Sequence, residues 1–355
     1  MIDAQDPQEV IARLQADLRG EHAAIVQYLE HVFKMEEVPG LGEIACEVEE
    51  IAREEMRHFK WLSETIVELG GVPTLDRDPI FIDGAPPPGL MRLDLEAEDR
   101  AIALYEKHVA EINDPRITTL IRRILSDEYA HREQFIDYIA ETGGEPSLPS
   151  GVQEIGPVSE VPTSSSELQL QASVPHALPP AVQDTIAMLN EDIVGQYRTV
   201  LTYLLQAFLT PDCPVSKDLL VDRSQWEMKH WGWLAEKVAE LGGEPSTNKP
   251  DVTVSGDTEA MLAADLQNEE QMLAIYRRHE ATIADPEVKK LLQRIAFNKT
   301  YEETKLKELL EVLNREGVAQ STGKDTTPPS QQSEASQPGA GFTVGSLIAK
   351  FQDEG

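Results

Sequence analysis

Glu55 and His58 stand three residues apart in Arg53-Glu54-Glu55-Met56-Arg57-His58, and the same spacing recurs as Glu128 and His131 and as Glu227 and His230. On a helix, residues three apart share a face. Each pair therefore sets a carboxylate beside an imidazole. Two further glutamates have a spacing of their own, with Glu21 seven residues before Tyr28 and Glu98 seven before Tyr105. Taken with the first two pairs they make four carboxylates and two imidazoles, enough charge to neutralise two divalent cations. Two carboxylates could bridge the cations while the imidazoles terminate them, leaving positions open for dioxygen or peroxide. Without metal, four converging carboxylates would repel one another or take up protons.

Long amphipathic helices must position these groups. Asp6-Pro7-Gln8-Glu9 is a helix start, with Asp as cap and Pro at the first helical position. The helix that follows runs to about Lys34, with an apolar stripe of Ile11, Leu14, Leu18, Ile25, Tyr28, Leu29 and Val32 that contains Glu21. After Pro39-Gly40 a second helix carries Glu55 and His58 and stops at the glycine cap of Glu68-Leu69-Gly70-Gly71. The proline-rich stretch from Val72 to Gly89 is too long for a hairpin and fits a crossover along the bundle. A third helix, from about Leu90 to Ile112, carries Glu98, and a fourth, begun by Asp114-Pro115, carries Glu128 and His131. One Glu from each of two helices and a Glu-x-x-His from each of the other two is the ligand pattern of di-iron and di-manganese carboxylate bundles.

The chain then repeats itself. Asp17 through Tyr28 lines up with Asp192 through Tyr203, His58 through Pro73 with His230 through Pro245, and Asp94 through Tyr105 with Asp265 through Tyr276. The expected fold is all-α, two tandem four-helix bundles over residues 1–141 and 181–316. A flexible Pro- and Ser-rich linker over 142–180 joins them, and a disordered tether over 317–341 follows. In the second bundle Gln196 stands for Glu21, Lys299 for Glu128 and Glu302 for His131, while Glu227, His230 and Glu269 persist. A lysine ammonium there favours a salt-bridged core without metal, with a mononuclear site on Glu227, His230 and Glu269 as the alternative.

On these motifs both bundles resemble the ferritin-like superfamily, most closely its bacterioferritin and rubrerythrin branch. The resemblance implies a non-haem di-iron centre on Glu21, Glu55, His58, Glu98, Glu128 and His131 that oxidises Fe(II) with dioxygen or peroxide, manganese being the other metal such sites take. It also implies a haem possibility, since Met56 and Met228 occupy the position from which bacterioferritin methionines ligate a haem shared across a two-fold. The two copies could form such a pair within one chain, or the chain could form a homo-oligomer. The end of the chain, Phe342-Thr343-Val344-Gly345-Ser346-Leu347-Ile348 within 342–351, is similar to the peptides that load cargo into encapsulin nanocompartments, whose core is Thr-Val-Gly-Ser-Leu. That implies an encapsulin shell as partner.

Composition bounds the alternatives. A formal net charge of -32 makes a nucleic-acid surface improbable and suits an exterior that gathers cations. The two cysteines, Cys46 and Cys213, are too few for a disulfide framework or a four-cysteine metal site, and there is no Cys-x-x-Cys. No basic, then apolar, segment opens the sequence and no apolar run reaches membrane-spanning length, so a soluble cytoplasmic protein inside an encapsulin compartment is expected. The function expected is an encapsulated ferroxidase for iron storage. Its rivals are a peroxide-consuming enzyme of the rubrerythrin or manganese-catalase kind and a non-enzymatic acidic scaffold that nucleates mineral.

Overall fold

A computed structural model describes residues 5–36, 38–82, 86–144, 178–209, 217–252 and 258–322. The expected peptide at 342–351, most of the tether and residues 145–177 of the linker lie outside the described residues. Among the described residues every regular element is helical: α1 (Pro7–Glu36), α2 (Gly42–Glu68), α3 (Pro87–Glu111), α4 (Pro115–Glu141), α5 (Pro180–Leu209), α6 (Lys217–Glu240), α7 (Thr258–Thr282) and α8 (Pro286–Thr322). The helix starts and stops follow local chemistry. The Asp6 carboxylate accepts from the Gln8 amide and Asp114 caps Arg116 and Ile117. Gly70, Gly143 and Gly242 end α2, α4 and α6 at φ near +80°, a conformation that costs other residues. One boundary differs from expectation, because α8 continues to Thr322 rather than closing near Gly317.

In each bundle two antiparallel hairpins, α1 with α2 and α3 with α4, then α5 with α6 and α7 with α8, pack face to face. The crossover from α2 to α3 runs along α1 and is tied down by that helix's side chains. Gln15 donates to the Val72 carbonyl at 2.7 Å and accepts from the Thr74 amide at 2.8 Å, and Gln27 accepts from the Phe81 amide at 2.9 Å. Each such bond contributes about 1 kcal/mol net and satisfies backbone that no sheet or helix serves.

The apolar core of the first bundle is split in two. One layer gathers Leu14, Leu18, Phe59, Leu62, Ile66, Ile117, Ile121 and Ile124, and the other Val26, Val32, Ala45, Val48, Leu95, Phe135 and Ile139. In sequence, the acidic and imidazole positions fall between these layers on every helix. Hydrocarbon therefore closes the site above and below.

The bundles also pack on each other through α1 against α6 and α2 against α5. Phe33 meets the edge of Trp231, on which Tyr197 of the same second bundle stacks at 5.8 Å, and Phe59 lies 6.4 Å from Phe208. Polar ties flank the rings. Tyr197 hydrogen-bonds His22, Arg77 donates to the Thr247 carbonyl and Lys249 pairs with Asp76 at 3.2 Å. No helix among the described residues is long and apolar enough to cross a membrane.

Candidate metal centre

All six residues singled out in the first bundle converge. Glu21 comes from α1, Glu55 and His58 from α2, Glu98 from α3, and Glu128 and His131 from α4, and each is at least 96% buried. Their ligand atoms form two overlapping groups. Glu21, Glu55, His58 and Glu128 offer atoms all within 4.8 Å of one another, and so do Glu55, Glu98, Glu128 and His131. Glu55 and Glu128 belong to both groups. The arrangement is thus two ligand sets side by side, each with its own Glu and His and with two carboxylates in common.

The imidazoles turn Nδ1 inward. His58 Nδ1 lies 2.8 Å from Glu55, 3.0 Å from Glu128 and 3.6 Å from Glu21, and His131 Nδ1 lies 3.0 Å from Glu55 and 3.9 Å from Glu98. Their Nε2 atoms point outward to carboxylates of the opposite helix, His58 to Asp127 at 3.4 Å and His131 to Glu54 at 2.9 Å. Such outer carboxylates fix the ring and raise its basicity as a ligand. Tyr28 donates to Glu98 at 2.6 Å and Tyr105 donates to Glu21, so each Glu-x6-Tyr word supplies a tyrosine to the other word's glutamate.

The electrostatics show a site built for cations. Burial and the Glu55 charge push Glu21 up to about 8, burial with Glu55 and Glu21 pushes Glu128 up to about 8, and burial and Glu128 push Glu98 well above the carboxylate range. Glu55 behaves oppositely. Burial disfavours its charge, but His131 and His58 flank it and hold it well below the usual range. Burial likewise opposes the imidazolium, yet Glu55 raises His131 to about 10, and Glu21 with Glu128 raises His58 further. Protons therefore balance the carboxylates, and divalent cations would displace them. The donor set fits two such ions: Glu98 Oε2 is buried with no hydrogen-bond partner, and Glu55 Oε1 and Glu128 Oε1 face only the Nδ1 atoms of His131 and His58, each at 3.0 Å.

The second bundle places its equivalents in the same layer with a different result. Lys299, fully buried, holds its ammonium 2.7 Å from Glu227 and 3.1 Å from Glu269, between the two carboxylates a mononuclear site would need. Tyr203 donates to Glu269 at 2.8 Å, His230 lies 3.2 Å from Glu227, and Glu302 pairs with Arg223 at 3.0 Å. The flanking carboxylates keep Lys299 charged despite its burial, and Lys299 with His230 lowers Glu227 to about 2 against the burial that opposes its charge. Among the described residues, both metal-capable groups lie in the first bundle. Met56 and Met228 are half-buried, each one residue past a site glutamate.

Two kinds of site residue were not singled out from the sequence. Glu54 and Asp127 each directly precede a ligand glutamate, and that adjacency was the signal available. Two buried pairs join α1 to α3, His108 with Asp17 at 2.7 Å and His31 with Asp94 at 2.8 Å; the first recurs as His279 with Asp192 at 3.0 Å, and at the second Gln206 donates to Asp265 at 2.8 Å. Recurrence of these acids in the duplicated segments was the signal there.

Known proteins resemble the chain bundle by bundle. A family model described as a ferritin-like domain matches residues 11–128 and again 186–316. Bacterioferritin of Desulfovibrio desulfuricans is 29% identical over 155 residues, 40% of this chain and 86% of that protein. Bacterioferritin of Rhodobacter capsulatus is 35% identical over 127 residues, 35% of this chain and 78% of that protein. Among solved structures, Rhodobacter capsulatus bacterioferritin, described with a metal-free dinuclear site and a haem iron, is 30% identical, covers 39% of this chain and 88% of that one, and has a TM-score of 0.36. Desulfovibrio desulfuricans bacterioferritin, described with its di-iron site in different catalytic states, is 26% identical, covers 43% of this chain and 100% of that one, and has a TM-score of 0.37.

Proposed function

Because this chain belongs to the ferritin-like family, we propose that its first bundle is a ferroxidase that takes two Fe(II) ions as substrate and oxidises them with dioxygen or hydrogen peroxide. The observation that carries this reading is the sharing of Glu55 and Glu128 by two ligand groups. Glu21 and His58 would hold one ion, Glu98 and His131 the other, and Glu55 and Glu128 would lie between them. Two Fe(II) ions give up two electrons. With two protons, these convert dioxygen to hydrogen peroxide, or hydrogen peroxide to two waters.

The protein's own residues prepare that exchange. Glu21, Glu98 and Glu128 release protons as cations arrive, Tyr28 and Tyr105 orient Glu98 and Glu21, and Asp127 and Glu54 hold the imidazoles with Nδ1 inward. Apolar layers above and below lower the polarity around the site, which strengthens the charge interactions within it. The second bundle serves as a metal-free companion in which Lys299 supplies the positive charge. A haem on Met56 and Met228 has no part in this reading.

The terminal word Thr343 to Leu347, flanked by Phe342 and Ile348, supports a role as cargo of an encapsulin shell, where ferric product would be stored. The test is anaerobic Fe(II) loading with metal counted by mass spectrometry, then admission of air with optical detection of Fe(III). About two irons per chain and rapid oxidation, both lost in Glu55→Ala and Glu128→Ala, are expected. Bound iron without oxidation above background would favour a scaffold, and faster turnover of peroxide than of Fe(II) and dioxygen would favour a peroxidase.

A further inference from the structure

Three aromatic rings stand at the surface of the second bundle where the first has an acid and two small residues. Trp226 on α6 is 50% exposed, and Phe297 and Tyr301 on α8 are 77% and 58% exposed. By the register that pairs His230 with His58 and Lys299 with Glu128, their counterparts are Glu54, Ser126 and Ala130. The bundle that holds Lys299 in its centre thus carries an apolar surface at the matching height.

The rings flank one seam between two helices. Arg223 of α6 pairs with Glu302 of α8 at 3.0 Å, and Asn298 of α8 lies 3.1 Å from His230 of α6, which sets residues 223–230 alongside 298–302. Trp226 falls within the first stretch. Phe297 and Tyr301 directly precede Asn298 and Glu302 and stand one turn apart. Lysines border the rings, with Lys229 Nζ 4.2 Å from the centre of the Trp226 ring and Lys305 Nζ 5.5 Å from that of Tyr301. An apolar patch with a polar rim marks an interaction site, and here the rim selects an occupant with acidic flanks.

We propose that the seam is a docking site for residues 342–351 of this same chain. Val344, Leu347, Ile348 and Phe351 fall at i, i+3, i+4 and i+7, the anchor spacing of a segment that lays one apolar face in a groove. Asp353 and Glu354 follow directly and complement the lysines at the rim. The connection is long enough. From Tyr301 to its end at Thr322, α8 runs about 32 Å, and residues 323–343 can span up to about 70 Å. Attachment to the helix that bears the patch gives the segment an effective concentration of about millimolar. A second copy would instead bring another chain of net charge -32 against this one, and like charge opposes that approach. Residues held on the seam are withheld from any other partner, so the seam controls when the segment is free to bind one. The docking stands whether or not the first bundle oxidises iron.

Hydroxyl-radical footprinting of the metal-free, full-length chain reads the rings directly. Radicals made by photolysis of hydrogen peroxide oxidise exposed side chains, and mass spectrometry gives the rate at each ring. The comparison is a full-length variant carrying Val344→Ser, Leu347→Ser, Ile348→Ser and Phe351→Ser. If the segment covers the seam about nine-tenths of the time, its release raises oxidation of Trp226, Phe297 and Tyr301 about tenfold. Phe81 and Tyr129, exposed on the first bundle, serve as references and should not change. Conversely, Phe297→Ser with Tyr301→Ser, both at exposed positions, should raise oxidation of Phe342 and Phe351 in the segment. Rates equal to the parent's in either comparison would overturn the docking. So would protection of the three rings that survives in the segment variant and deepens as protein concentration rises, which would assign the seam to a second copy.

Discussion

Replacing Lys299 by Met removes one charge and little volume from the middle of the second bundle. The ammonium is fully buried, 2.7 Å from Glu227 and 3.1 Å from Glu269. At an effective dielectric of about 20, opposite charges at the shorter distance attract by about 6 kcal/mol, and the cost of burying them offsets much of that. Loss of the lysine leaves two carboxylates facing each other with His230 as the nearest compensating group. Removing one partner of a buried ion pair typically costs about 3–5 kcal/mol, a large share of the roughly 5–15 kcal/mol that holds a domain folded. The carboxylates can escape by taking up a proton, which raises their folded-state pKa. Stability of the variant is then retained at low pH and lost as pH rises through that raised value, so the deficit should be larger at pH 8 than at pH 5. Urea unfolding followed by circular dichroism at both pH values measures it. Adding Glu227→Gln to Lys299→Met should recover part of the loss. A variant within about 1 kcal/mol of the parent at pH 8 would refute the view that Lys299 replaces metal charge in this bundle.

Two other outcomes follow from the same reasoning. Asp127→Asn and Glu54→Gln should each weaken Co(II) binding about 10- to 100-fold while leaving the fold intact, since the outer hold on His58 or His131 weakens and the other pairs lost, with Arg123 and Arg57, are at the surface; unchanged affinity by calorimetry would remove these carboxylates from the site. Glu30 lies buried, and burial pushes it from 4.5 up to about 8, so the metal-free protein loses stability as pH rises from 4.5 through 8. Glu30→Gln should match the parent near pH 4 and exceed it near pH 9 by up to a few kcal/mol; parallel stability curves across that range would show that Glu30 stays neutral for another reason or is not desolvated.

Much of the first bundle is legible in the sequence because its signals are local. Asp6, Asp114 and the Gly70 and Gly143 caps mark helix ends through backbone chemistry that involves only neighbouring residues. Spacings of three and seven fix which residues share a face, and the duplication makes the same pattern visible twice. Hence Glu21, Glu55, His58, Glu98, Glu128 and His131 could be named, and Lys299 recognised as a departure, from residue type and register. The continuation of α8 to Thr322 was not legible in the same way, because Gly317 and the Ser-Thr run after it are poor helix formers whose effect on an established helix is only a fraction of a kcal/mol per residue up to about 1.

What depends on how helices meet was decided by the tertiary structure. Periodicity gives a side chain's direction around its own axis but not the height and face of the helix opposite. That is why only packing shows that Glu55 and Glu128 are the shared carboxylates, that the histidines reach outward to Asp127 and Glu54 across the α2–α4 interface, and that Tyr28 serves Glu98 instead of its own Glu21.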